Sequence, residues 1–262
     1  MNRAFSYFYW LKIFYPESKE ARRPVWILLI VAICLTGSNF LTISSSYKLF
    51  SPVLDLFNPQ WSKDLSDWLW IHPDQGLHQL IYWSCWSCFF YFILPAFLLK
   101  IFWKEKLSDY GFKLKGALNG WPVYVGMFLI IMPCVFVVSY EKSFQLTYPF
   151  YEPPKENFLG RMLMWEIFYA FQFITLEFFF RGFMVHGLKQ KFGIYSIFIM
   201  MVPYCMIHFT KPMPECLGSI IAGVILGMLS YQYRSVILGA CIHICVALSM
   251  DFLSLWHKGY FG

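Results

Sequence analysis

Charge is what this chain has least of. Of its 262 residues, 14% are Asp, Glu, Lys or Arg, against 58% hydrophobic and 22% aromatic. A soluble globule of this length needs far more polar surface, so the composition excludes one and fits a polytopic membrane protein. Period-two alternation is also missing. The apolar runs are continuous, which excludes a transmembrane β-barrel. There is no internal repeat, low-complexity tract or lipidation box. The first 24 residues lack the unbroken apolar core and small-residue cleavage site of a secretory signal. They read as an aromatic, charged interfacial segment leading into the first span. Eight cysteines are present but only one C-x-x-C pair, Cys85 and Cys88, with no second pair at metal-binding spacing. Apolar packing within the spans is therefore expected of the thiols, rather than disulfides or a zinc knuckle.

What the chain does have is apolar runs of spanning length. Seven can be marked off, at 25–43, 79–103, 121–140, 163–188, 192–209, 217–233 and 236–256. The expected fold is an all-α transmembrane bundle. Most of the 21 basic residues fall on one side if the N-terminus is cytoplasmic: Arg3, Lys12, Lys19, Arg22 and Arg23; Lys100, Lys104, Lys106, Lys113 and Lys115; Arg181, Lys189 and Lys191; and Arg234. The segment 44–76 on the other side carries Asp55, Asp64, Asp67 and Asp74. The positive-inside rule then gives N-in, C-out. The net charge of +6 follows from this topology and suits anionic lipid rather than nucleic acid. The chain reads as one membrane domain with unlike halves. Residues 1–160 hold three spans and two long polar connections. The connection at 44–76, with Pro52, Pro59, Pro73 and several tryptophans, is expected to lie on the outer interface as an irregular cap. Residues 161–262 hold four spans joined by short turns. Gly218, Ala222, Gly223 and Gly227 give the sixth span a small-residue face for close helix packing, a scaffold role.

The polar residues of this second half carry the chemistry. Glu177 and Arg181 sit four apart in Gln172-Phe-Ile-Thr-Leu-Glu-Phe-Phe-Phe-Arg-Gly, one turn apart on one helical face. Ionisable groups at bilayer depth are costly and should pair, facing the interior or a wet pocket. If the fourth helix runs on to about Leu188, Glu177 lies ~17 Å from its inner end, His243 ~14 Å and His208 ~22 Å in, by helical rise. All three then fall near mid-depth, and Pro203 can kink the helix that carries His208. A carboxylate poised between burial and a neighbouring guanidinium can take a proton from water. His208 could share that water and His243 could donate to an oxyanion. Two His and one Glu (Glu177, His208, His243) would equally be a zinc ligand set, although the His-Glu-x-x-His arrangement of helical zinc proteases is absent. Taken singly, each of these residues has a plain structural reading, as a buried pair or a packed imidazole. Their coincidence in depth favours a reaction centre. Glu166 reads as the polar rim of an access path, Asp251 as a cap on the outer side, and Tyr204 as a hydrogen-bonding neighbour of His208. His186, one turn before Lys189, reads as a surface residue, and His72, His78 and His257 carry no signal.

These motifs resemble the CPBP family of intramembrane proteases, which includes the Rce1-type CAAX-processing endopeptidases and bacteriocin-processing or self-immunity proteins. The family pattern is Glu-Glu-x-x-x-Arg, then Phe-x-x-x-His, then His-x-x-x-Asn or Asp. Here it appears as Leu176-Glu177-x-x-x-Arg181 with a Phe-Arg-Gly tail, Tyr204-x-x-x-His208 and His243-x-x-x-Ala247, over about residues 160–255. The resemblance implies a multi-pass protein of a bacterial cytoplasmic membrane. It also implies an endopeptidase with Glu177, Arg181, His208 and His243 as catalytic residues and a membrane-delivered peptide or protein as substrate. Leu176 stands where the family's water-activating Glu would be, and Ala247 where its oxyanion-stabilising Asn would be. A non-catalytic relative that binds a peptide or partner protein in the same cavity is therefore the alternative. A proton-linked transporter fits less well, because no paired halves with broken helices are visible.

Overall fold

The computed structural model describes residues 19–261. The stretch before residue 19, read from sequence as interfacial, lies outside the described residues. Helices make up the fold, with no strand among the described residues. They are α1 (Lys19–Leu41), α2 (Tyr47–Phe57), α3 (Pro59–Trp70), α4 (Gln75–Trp103), α5 (Trp121–Val138) and α6 (Lys142–Thr147). After these come α7 (Phe158–Phe192), α8 (Tyr195–Met206), α9 (Met213–Tyr233) and α10 (Ile237–His257). Six of these, α1, α4, α5, α7, α9 and α10, are long and apolar enough to cross a membrane. The expected seventh span is α8. Its 12 residues reach only ~18 Å, short of a hydrocarbon core of about 30 Å.

At the centre is α7. The run Phe178, Phe179, Phe180 and Phe183 is fully buried, and a helix apolar on every side must be surrounded. Helices α1, α4, α8, α9 and α10 surround it. The helix continues past Arg181, as the sequence suggested. From Phe178 to Met184, however, its turns widen to a π-helix. The glycine after Arg181 has a packing reason. A Cβ on Gly182 would lie 2.7 Å from the Tyr110 carbonyl oxygen, so only glycine lets the 107–110 turn close against α7. That turn is itself held by Arg23 of α1, whose guanidinium donates to both oxygens of Glu105, at 2.7 and 2.8 Å, and to the Tyr110 hydroxyl.

The 44–76 connection is not irregular. Pro59 occupies the first turn of α3, where its missing N–H costs nothing, and the Asn58 side chain caps that helix by accepting from Gln60 N at 2.9 Å. Pro59 thus begins α3 and Pro52 is accommodated within α2, and the two helices are tied together by a Ser62 Oγ hydrogen bond to Asp55. The cysteines also depart from expectation: Cys34 is buried, whereas Cys85, Cys134, Cys241 and Cys245 lie on the outer surface of the bundle.

Candidate active site

Three of the residues singled out from sequence touch. Glu177 and Arg181 have no exposed surface, and Arg181 Nη1 lies 3.0 Å from Glu177 Oε1. From α10, His243 brings Nδ1 to 3.1 Å from the same oxygen. One carboxylate oxygen is thus shared by a guanidinium and an imidazole. The other, Oε2, is buried without a hydrogen-bond partner among the described residues. It rests against the backbone of Gly239, where a Cβ would come within 2.8 Å.

Arg181 has no hydrogen-bond acceptor among the described residues, because its ion pair with Glu177 lacks hydrogen-bond alignment. Its second compensation is an aromatic face: the guanidinium carbon sits 3.8 Å from the centroid of the Tyr204 ring. In a desolvated site such a contact stabilises the cation by about 2 kcal/mol. The wide π-turn also leaves a backbone group to satisfy. Ser230 Oγ of α9 donates to the Arg181 carbonyl at 3.1 Å and lies 3.2 Å from His186 Nε2. His186, expected at the surface, is consequently buried under α9. Its proximity to Lys189 suggested exposure, but the Ser230 hydroxyl supplies it with a buried partner.

His208 is placed differently from expectation. Helix α8 ends at Met206, and His208 falls in the turn that follows. Pro203 lies inside α8, three residues before its end, and the chain turns over 207–210 within a run that looked apolar enough to continue to 209. His208 Nδ1 is 2.8 Å from the Tyr204 carbonyl oxygen. A carbonyl only accepts, so Nδ1 carries the proton and a neutral ring leaves Nε2 as an acceptor. Tyr204 joins the cluster: its ring centroid lies 4.8 Å from that of His208 and 6.4 Å from that of His243. The expected Tyr204–His208 hydrogen bond therefore runs through the backbone carbonyl, and the ring serves as a plate between Arg181 and the two imidazoles.

A second group of polar residues lies along α7 and α10. Asp251 is fully buried and accepts from Trp165 Nε1 at 3.1 Å, through Oδ2. An aromatic ladder runs from there to the centre: Trp165 on Tyr169 at 4.7 Å, Tyr169 on Phe173 at 4.6 Å, and Phe173 on His243 at 4.5 Å. Glu166 is half-buried. Just past His208, Lys211 Nζ donates to the Tyr148 hydroxyl at 2.7 Å, which in turn donates to Glu215 at 2.7 Å. Burial pushes the Lys211 ammonium below its ordinary pKa, with Glu215 opposing, and holds the Tyr148 phenol above its own.

Two residues escaped the sequence reading. One, Gly239, is a small residue four positions before His243, a spacing that could have marked it. Tyr124 of α5 is buried within electrostatic reach of both Glu177 and Arg181, and nothing in its own sequence surroundings marks it. Among the described residues, no three His, Cys, Asp or Glu side chains are grouped as a metal ligand set. Each imidazole uses only Nδ1 in these contacts, His243 to Glu177 and His208 to a carbonyl, so both Nε2 atoms stay open. No step below runs through a metal.

Residues 158–249 match the family model of type II CAAX prenyl endopeptidase Rce1-like proteins. The segment is Rce1-like. The match begins with α7 and ends within α10, so it contains Glu177, Arg181, Tyr204, His208 and His243. No curated protein and no solved structure matches the chain significantly. The Rce1-like family is a protease family, and with six helices of spanning length the chain reads as a multi-pass membrane protein that carries an Rce1-like segment. Against the family pattern, the Rce1-like segment keeps its Arg and both His. It buries Leu176 in the central apolar cluster and Ala247 in a second one.

Proposed function

We propose that the protein is an intramembrane endopeptidase that hydrolyses a peptide bond of a membrane-delivered peptide, of the prenylated C-terminal class its Rce1-like segment suggests. The observation that carries this reading is the His243 Nδ1 to Glu177 Oε1 contact at 3.1 Å, inside a bundle where an isolated charge would be prohibitive. Glu177 has no exposed surface, so its role shifts from the water-activating base expected from sequence to support of an imidazolium at His243. The base is His208, whose Nε2 is the acceptor. Water oxygen attacks the scissile carbonyl carbon, and its proton goes to His208 Nε2. The oxyanion takes a hydrogen bond from His243 Nε2–H. Collapse breaks the C–N bond, and the proton on His208 passes to the leaving amine. General-base help of this kind contributes about 10²–10⁴-fold, and an oxyanion donor about 3 kcal/mol. Arg181 pairs with Glu177 Oε1 at 3.0 Å and fixes that oxygen in place. Lys104, Lys106, Lys113, Lys189, Lys191 and Arg234 lie in the connections and helix ends that the positive-inside rule makes cytoplasmic, and on that basis we take the chain as N-in; a bacterial cytoplasmic membrane is part of the same proposal.

A second reading rests on Leu176 and Ala247, buried apolar side chains at two positions where the family pattern is polar. In it, the protein binds a peptide without cutting it. The two separate in proteoliposomes holding purified protein and a fluorogenic prenylated peptide. The protease reading expects cleavage by the wild type and a loss of about 100-fold or more in Glu177→Gln and His243→Ala. Saturable retention of intact peptide by all three proteins would favour the binding reading.

A further inference from the structure

We infer that Gly239 is a positioning residue: the absence of a side chain there lets the Glu177 carboxylate seat against α10 in register with His243. The kinetic part of this inference rests on the proposed hydrolysis; the structural part does not. Gly239 stands one helical turn before His243 on the same helix, so both present to the same face of α7. An added Cβ would meet two atoms within 4 Å, both of Glu177: Oε2 at 2.8 Å and Cδ at 3.5 Å. The first is closer than real Cβ contacts allow, so the carboxylate would have to move. A side-chain end normally yields easily. This one does not, because it is fully buried and its other oxygen is held by Arg181 and His243 at 3.0 and 3.1 Å. Rotation away from Gly239 takes Oε1 off one partner or the other. Gly239 lies in the first turn of α10 and its backbone adopts no positive φ, so no left-handed conformation calls for glycine there. Room for the carboxylate is the reason that the contacts at this position give.

The sign of one substitution separates this from ordinary packing. Alanine is the better helix former, so where space is open Gly→Ala raises stability. Gly218 on α9 and Gly126 on α5 have nothing within 4 Å and provide that control. Gly239→Ala is expected to lower the unfolding midpoint in detergent micelles and to cut kcat by about 100-fold, as a misplacement near 1 Å does, with KM unchanged. Glu177→Asp shortens the side chain by one methylene and withdraws its oxygens to about where Cδ now lies. In that background Gly239→Ala is expected to leave the midpoint unchanged or raise it. Should the single variant fail to fold, recovery of folding in the double variant supports the inference and failure of both overturns it. Equal midpoint losses in the two backgrounds, or a Gly239→Ala protein as stable and active as the wild type, also overturn it. If the wild type hydrolyses nothing, the midpoints alone decide.

Discussion

The Arg181–Glu177 pair invites a perturbation whose size the structure fixes. Replacing Arg181 with Met keeps the volume and removes the charge. Left behind is a carboxylate with no exposed surface, and breaking a buried pair from one side costs about 3–5 kcal/mol. Glu177 would retain the His243 Nδ1 contact, which places the loss near the lower bound. The cation–π contact with Tyr204 disappears with the charge that needed it. A loss of about 3 kcal/mol lowers the midpoint by about 10 °C for a chain of this size. The double variant Arg181→Met, Glu177→Leu removes both charges, and such replacements are near neutral or stabilising. Thermal unfolding in mixed micelles, followed by circular dichroism, therefore should rank the single variant below the double one. Both should be inactive. Equal destabilisation of the two would refute the argument that an uncompensated carboxylate is what makes the single change costly.

The turn that carries Tyr110 gives a pH signature. Burial and the neighbouring Glu105 hold its phenol above the ordinary 10.0. A raised folded-state pKa contributes stability that is complete below about pH 10 and lost as pH rises through the folded-state value. The midpoint measured from about pH 7 to 11 is expected to fall at the alkaline end, and Tyr110→Phe to flatten that fall; an identical slope in the variant would exclude Tyr110 as its source. At Gly182, an added Cβ would press on a backbone oxygen at 2.7 Å and on Phe178 at 3.2 Å. Gly182→Ala should cost about 1–3 kcal/mol, whereas Gly126→Ala, in open space, should be neutral or gain up to about 1 kcal/mol. Chemical unfolding of the two variants side by side checks the difference.

Local spacing made the Glu177–Arg181 pair readable in advance, because two side chains four apart on a helix must meet whatever surrounds them. Six of the seven marked spans were readable too, since bilayer thickness fixes how many apolar residues are needed; α8 was the exception. What depended on neighbouring helices was not. His186 sits beside lysines in sequence, yet Ser230 of α9 covers it. The position of His208 turned on where a run of apolar residues stops being helical, and hydrophobicity alone does not mark that point. Pro59 looked like a sign of irregularity at 44–76, but at the first turn of a helix it starts α3. Gly239 entered the site only because α10 brings it beside Glu177, a relation between helices that no single segment encodes.

The most direct test of the account is hydrolysis in ¹⁸O-labelled water by the wild type and by His243→Ala, followed by mass spectrometry of the peptide products. The account predicts one ¹⁸O in the new carboxyl terminus of each molecule cleaved by the wild type, and essentially no product from His243→Ala. Undiminished labelled product from His243→Ala, or a wild type that binds the peptide and releases it whole, would contradict it.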